Sequence, residues 1–258
     1  MKALITGASS GLGRDMAIAL SKRGYDILAV ARRKDRLERL QTELDTNVEI
    51  LCLDVTRAED VEQIAQRLDE VDVFINNAGF GVFGDLCSSD LDAELRMIDT
   101  NVKAVHILTK LAAQKFKARN HGHILNVASI AAFFPGPLFS AYYGCKAYVF
   151  RLTQALHEEL RQEKSAVRVS VLCPGPVRTE FEQVAKVSFG KGDEPGRDLI
   201  IADSRKVAEY AIRQMLRGKL IIVPGTLMKL SVCLRRILSE RALSKLFYLL
   251  QSKKFVQK

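Results

Sequence analysis

Short apolar runs recur along the chain at residues 3–5, 25–31, 48–53, 71–75, 123–127, 167–172 and 220–223. Stretches with helical periodicity separate them, near 12–23, 34–44, 58–69, 89–118, 141–163 and 204–217. Unbroken Val, Ile and Leu runs of this length read as strands buried on both faces. Joined by amphipathic helices, they predict an α/β fold: a doubly wound, mostly parallel sheet of seven strands with helices on both faces. No repeat or low-complexity linker interrupts the alternation, so residues 1–226 read as one domain.

Two regions fall outside that pattern. Residues 178–203 carry Gly190, Gly192, Pro195 and Gly196 among mixed charges. They follow the sixth strand, where open α/β sheets bind ligands, and are expected to form a substrate lid; the alternative is a plain surface loop. Residues 227–258 predict a pair of helices with Leu227, Leu230, Leu234, Ile237 and Leu238, then Leu243, Leu246, Phe247 and Leu250, at helical spacing. Lys229, Arg235, Arg236, Arg241 and Lys245 fall between them. Two readings stand for this basic amphipathic extension. Its apolar face packs on the domain or a sister subunit, or it lies on an anionic membrane or over a lipid-like substrate.

Charge sharpens the second point. The 258 residues hold 39 Lys and Arg against 30 Asp and Glu, a net of +9. Residues 227–258 contain eight of the bases and one acid, so +7 lies there and +2 in the rest. A global nucleic-acid footprint is therefore excluded and a local anionic partner is kept. Residues 120–145 lack any charged side chain, but Pro135-Gly136-Pro137 breaks the stretch, which reads as strand, loop and helix start rather than a membrane span. Cys52, Cys87, Cys145, Cys173 and Cys233 show neither a disulfide framework nor zinc spacing, and no metal is expected. A reducing, cytoplasmic home, with peripheral membrane contact through the extension, fits best. Lys2 followed by three apolar residues is too short for a signal peptide.

The first strand runs into Thr6-Gly7-Ala8-Ser9-Ser10-Gly11-Leu12-Gly13 and then a helix. Glycines at 7, 11 and 13 allow a tight turn and a close backbone approach to a pyrophosphate at the helix N-terminus. The second strand ends at Ala31-Arg32-Arg33, with no acid for the ribose hydroxyls of NAD. Arg32 stands next to the place of that acid and is expected to pair with a 2′-phosphate, so NADP(H) is expected in preference to NAD(H). The alternative is a solvated basic helix start. Asp54-Val55 closes the third strand, where Asp54 either accepts from an adenine amine or caps a helix.

Tyr142 and Lys146 stand at i and i+4 and share a helix face. A neighbouring ammonium lowers a tyrosine pKa and makes the phenol a workable acid toward a carbonyl oxygen. Ser129, just past the fifth strand, can bond the same oxygen. Phe80, Phe83, Phe133, Phe134, Leu138 and Phe139 lie near the strand ends and suggest an apolar substrate, though Phe is also ordinary core.

Together these residues resemble the short-chain dehydrogenase/reductase family over about 1–225. The resemblance rests on the glycine turn, Asn76-Asn77-Ala78-Gly79, Asn101, Ser129, Tyr142-x-x-x-Lys146 and Pro174-Gly175-Pro176-Val177-Arg178-Thr179, in that family's order. Ala128 and Cys145 depart from serines common in it without removing a reacting group. The resemblance implies a Rossmann-type fold with Tyr142 as proton donor, Lys146 binding the nicotinamide ribose, and Ser129 orienting the carbonyl. It implies that Asn101 helps hold a water in a proton relay. Asn77, Ala78 and Gly79 would line the adenosine side, and Pro174, Gly175, Val177 and Thr179 the nicotinamide side. The expected activity is NADPH-dependent reduction of a ketone or aldehyde (3-oxoacyl, steroid-like or xenobiotic), or the reverse oxidation. The alternatives are a non-catalytic NADP-sensing regulator and a membrane-surface scaffold. The family also implies a homodimer or homotetramer through the helices at 89–118 and 141–163.

Overall fold

The structure, a computed structural model, describes residues 1–185, 201–235 and 237–252. The strands are β1 (Lys2–Thr6), β2 (Asp26–Ala31), β3 (Val48–Cys52), β4 (Val73–Asn76), β5 (His123–Val127), β6 (Arg168–Leu172) and β7 (Ile221–Ile222). They form one parallel sheet in the order β3-β2-β1-β4-β5-β6-β7. The helices are α1 (Gly11–Ser21), α2 (Lys34–Glu43), α3 (Ala58–Gln66), α4 (Leu91–Ile98), α5 (Val105–Ala118), α6 (Ser140–Gln162), α7 (Phe181–Val184), α8 (Ser204–Leu216), α9 (Thr226–Leu234) and α10 (Glu240–Ser252).

The two faces of the sheet are both covered, as the unbroken apolar runs require. Side chains alternate across a strand. Ala3 and Ile5 of β1 enter one layer with Met16 and Leu20 of α1 and Ala208 and Ile212 of α8. Leu4 enters the opposite layer with Ile64 of α3 and Leu108 and Phe116 of α5. The doubly wound sheet expected from the sequence is the fold that forms.

Three features bear on the site, the first a departure from the expected helix and the second as expected. The helix expected over 89–118 is interrupted by a π-helical turn at Asp99–Ala104, between α4 and α5. Its cause is visible at Asn101, whose Nδ2 donates to the Phe80 carbonyl (2.7 Å) and whose Oδ1 accepts from the Phe80 amide (3.1 Å). The charge-free stretch 120–145 is β5, a 3₁₀ turn at Ile130–Phe133, a proline loop and the start of α6. No helix of the described residues is long and apolar enough to cross a membrane. The ends of the expected lid are fastened together: the Arg178 amide donates to the Ala202 carbonyl (3.0 Å), and the Ala202 amide to the Pro176 carbonyl (2.9 Å). Residues 186–200 of that lid lie outside the described residues.

Residues 226–252 do form two helices, and one face of each packs on the domain. Met228 lies so close to Gly175 that a Cβ there would stand 2.6 Å from its sulfur. Val232 packs against the cluster containing Val149 and Phe150. In α10, Leu243 is buried and Phe247 stacks on Phe134 (4.7 Å between centroids).

Candidate active site

The crevice opens where the chain leaves β1 toward β2 on one side and leaves β4 toward β5 on the other, the switch point of the sheet. Thr6 ends β1 there. Its Oγ1 accepts from the amides of Asn77 (3.0 Å) and Ala78 (3.1 Å), while Asn77 Nδ2 donates to the Thr6 carbonyl (3.0 Å). The segment after β4 thus clamps the glycine turn after β1. Gly7 has φ +68°, a left-handed conformation that favours glycine. At Gly13 a Cβ would collide with the Gly7 carbonyl oxygen, so the helix start lies directly against the turn. Ser10 precedes α1 without giving it a side-chain cap. The first-turn N–H groups of an uncapped helix suit an anion. Leu12 packs back onto the core beneath.

The end of β2 divides its two arginines. Arg33 reaches into the turn: Nε donates to Ser9 Oγ (3.3 Å) and one terminal nitrogen donates to Ser9 Oγ (3.1 Å) and Ser10 Oγ (2.7 Å). Arg32 points the other way, is largely exposed, and lies 3.6 Å from the Asp54 carboxylate. Asp54 Oδ1 accepts from the Thr56 amide (3.0 Å) and hydroxyl (2.8 Å), so it builds the turn leading to α3, whose own N-cap is Arg57. Val55 is buried with the core of the α3–α5 layer.

On the other side of the crevice, β5 delivers Ser129 and α6 delivers Tyr142 and Lys146. Ser129 caps the 3₁₀ turn through a bond accepted from the Ala131 amide (3.1 Å), and its hydroxyl lies close enough to Tyr142 to act on the phenol. Lys146 Nζ donates to the Val127 carbonyl (3.0 Å) and lies 5.7 Å from the centroid of the Tyr142 ring. A Cβ at Gly79 would stand 2.8 Å from Asn101 Oδ1 and 3.5 Å from Lys146 Nζ, so these three residues meet at one point. The segment after β6 then crosses the crevice. The Pro174 carbonyl accepts from the Ile130 amide (2.8 Å), Val177 pairs with Ala202, and Thr179 sits against Gly11, where a Cβ would be 3.1 Å from its methyl.

Electrostatics depart from the expectation drawn from the Tyr142–Lys146 spacing. Burial raises the Tyr142 phenol above its ordinary value, against a smaller lowering by the Ser129 bond. Burial also pulls the Lys146 ammonium down, to about 8. The ammonium bonds Val127 rather than the phenol, so it does not make Tyr142 more acidic here. At neutral pH Tyr142 keeps its proton, the form a donor requires.

The aromatic residues sort into separate places. Phe139 stacks on Tyr142 (4.5 Å, 13° between planes), and Phe83 meets Phe139 edge-on (5.4 Å). Phe80 packs in the same cluster, and buried Leu138, with φ +64°, accepts from the Gly84 amide through its carbonyl (2.9 Å). Phe133 instead packs into the core on Phe150 (4.6 Å). Sequence reasoning passed over several participants. Phe181 lies 5.4 Å from Tyr142, and Phe247 lies 6.3 Å from Tyr143, between ring centroids. Glu180 ion-pairs with Arg33 (2.9 Å) and with Arg36, tying the crossing segment to the β2 end. A buried polar chain also fastens α5 and α6 to the sheet. Asn76 Nδ2 donates to Thr109 Oγ1 (3.3 Å), Thr109 Oγ1 to Asn126 Oδ1 (3.0 Å), and Asn126 Nδ2 to Thr153 Oγ1 (3.0 Å).

Comparison with known proteins agrees with this geometry. The family model described as short chain dehydrogenase matches residues 1–187. A farnesol dehydrogenase of Aedes aegypti is 34% identical over 192 residues, 69% of this chain and 78% of its own. A short-chain dehydrogenase from Sphingobium yanoikuyae in complex with NADPH superposes with a TM-score of 0.79 at 29% identity, covering 100% of this chain and 97% of that one. The bulky-bulky ketone specific alcohol dehydrogenase from Comamonas testosteroni does so with a TM-score of 0.76 at 26% identity, covering 92% and 91%. The glycine turn clamped by Asn77, the Ser129–Tyr142–Lys146 cluster and these matches lead to one conclusion: the chain belongs to the short-chain dehydrogenase family of oxidoreductases.

Proposed function

We propose that this chain is an NADPH-preferring carbonyl reductase that acts on bulky apolar ketones or aldehydes and can run in reverse as an alcohol dehydrogenase. The observation that carries the reading is the convergence of Ser129, Tyr142 and buried Lys146 at the mouth of the glycine-lined crevice. The aromatic surroundings of Tyr142 favour an apolar substrate. The NADPH complex of one relative, and the farnesol and bulky-ketone names of two others, point the same way.

The residues present fit a dinucleotide. Gly7, Gly11 and Gly13 let the turn, α1, Asn77 and Thr179 close tightly on one another, and a pyrophosphate would lie at the uncapped start of α1, flanked by Ser9, Ser10 and Leu12. Arg33, already bonded to both serines, would read the 2′-phosphate, with Arg32 closing from the outer side. Asp54 and Val55 would border the adenine, and Asn77, Ala78 and Gly79 the adenosine side. Pro174, Gly175, Val177 and Thr179 would border the nicotinamide. When bound, the reduced nicotinamide supplies a hydride to the carbonyl carbon. Tyr142 gives its proton to the carbonyl oxygen, and Ser129 holds that oxygen by a second hydrogen bond. Lys146 replenishes the proton through a relay that Asn101 orders near Gly79. Oxidation needs Tyr142 deprotonated, the form that burial opposes.

The test is the cofactor preference of ketone reduction by the purified chain. NADPH should be used in preference to NADH, and Arg33→Ala should lower that preference by about tenfold to a hundredfold, the value of charge-assisted hydrogen bonds. Preference for NADH in the wild-type chain, or an Arg33→Ala ratio equal to wild type, contradicts the assignment.

A further inference from the structure

We propose that α9 and α10 form a docking surface for an anionic lipid bilayer, which seats the substrate end of the crevice at the lipid headgroups. The argument starts from the number of apolar faces. A helix that packs on a domain needs one apolar face, and its outer face is normally polar. In α9 the inner face is Met228 and Val232, yet Leu227, Leu230 and Leu234 on the outside are each about half exposed. In α10 the inner face is Leu243, Phe247 and Gln251, yet Leu246, Leu249 and Leu250 form a second, exposed apolar face. Ile237 and Leu238 join the two helices and are exposed as well, Ile237 at 79%. Leaving these exposed leucines in water is costly, and exposed apolar faces mark contact surfaces.

Charge selects the occupant. Arg241 and Lys245 are exposed on α10, Lys229 on α9 reaches over the Tyr210 ring, and Glu240 is the one acid on these two helices. Arg241 and Lys245, four apart, line one edge of the leucine face of α10, the arrangement of a helix lying in a headgroup layer. A second copy of this chain would bring the same cations face to face, since a two-fold contact pairs a patch with itself. An anionic bilayer meets both the leucines and the cations. The surface also lies beside the site. The ring of Phe247 packs on Phe134 and on Tyr143, whose own ring is 6.3 Å from that of Tyr142. A lipid-soluble carbonyl compound would then reach Tyr142 from the bilayer; this last step, and not the docking, rests on the proposed function.

The test is co-sedimentation of the full chain with vesicles of phosphatidylglycerol and phosphatidylcholine at one to three, against pure phosphatidylcholine. The chain should bind the mixed vesicles, bind pure phosphatidylcholine weakly, and be released by salt. A basic residue at an anionic surface strengthens partitioning by roughly fivefold. Arg241→Gln with Lys245→Gln should therefore weaken it by about 30-fold. Leu246→Ser, Leu249→Ser and Leu250→Ser together should abolish it, with an unchanged circular dichroism spectrum. Equal binding to both vesicles, or none to either, overturns the proposal. So does a triple-serine variant that converts an oligomer to a monomer while the wild type ignores vesicles, which makes this face a contact between copies. Vesicle binding is read without turnover, so failure to reduce any ketone leaves it standing on its own.

Discussion

Tyr142→Phe is expected to lower kcat for ketone reduction by about 10³-fold while NADPH affinity stays within a factor of three. A positioned general acid is typically worth about 10²–10⁴ in rate, and only the acid is removed. The ring stays, and with it the stack on Phe139 and the contact with Phe181. The substitution also removes a buried hydroxyl together with its proton, leaving Ser129 with its bond from the Ala131 amide. Stability should change little. Steady-state kinetics with fluorescence titration of NADPH separates the two effects; a residual kcat within tenfold of wild type would remove Tyr142 from its assigned role.

Lys146→Met is expected to raise stability while reducing kcat/KM by at least about 10²-fold. Lys146 is 5% exposed, and burial lowers its ammonium from 10.5 to about 8. Holding it charged at neutral pH therefore costs the fold about 3 kcal/mol. Methionine keeps most of the volume and forfeits one charge-assisted bond to the Val127 carbonyl, a loss of at least about 1.5 kcal/mol. The net gain is then at most about 1.5 kcal/mol, a Tm rise of up to about 5 °C for a chain of this size. Its sign with pH is also determined. Between pH 8 and 10.5 the unfolded chain binds the proton that the fold has released, so stability from this group rises with pH across that window. The wild-type curve should climb there relative to Lys146→Met. A variant that is less stable than wild type at pH 7 would contradict the burial argument.

The elements carrying this chemistry were largely legible in the chain. Apolar runs such as 123–127 are buried on both faces, and a run of that kind marks a parallel strand without help from distant residues. The i, i+4 spacing of Tyr142 and Lys146 likewise reports a shared helix face locally. What could not be read depends on partners far along the chain. The π turn at Asn101 exists because its side chain bonds both backbone groups of Phe80, 21 residues away. The sequence favours Arg32 as the phosphate reader, but neighbouring residues at a strand end point to opposite sides, and it is Arg33 that reaches Ser9 and Ser10. Phe133 and Phe139 differ in the same way, one packed into the core and one on Tyr142. The Glu180 pairing with Arg33 spans 147 residues, and the chain from Asn76 to Thr153 joins two strands and two helices. The extension was read with one apolar face per helix, whereas α10 has a packed one and an exposed one, a distinction only its seat on the domain reveals.

The most direct measurement is isotope transfer. The purified chain is given NADPH carrying deuterium at both C4 positions of the nicotinamide and a bulky apolar ketone, and the alcohol is analysed by mass spectrometry. One deuterium on the carbinol carbon, at a rate that collapses in Tyr142→Phe, is the expected result. An alcohol without the label, or no alcohol from any ketone despite NADPH binding, would contradict hydride transfer at the Ser129–Tyr142–Lys146 cluster.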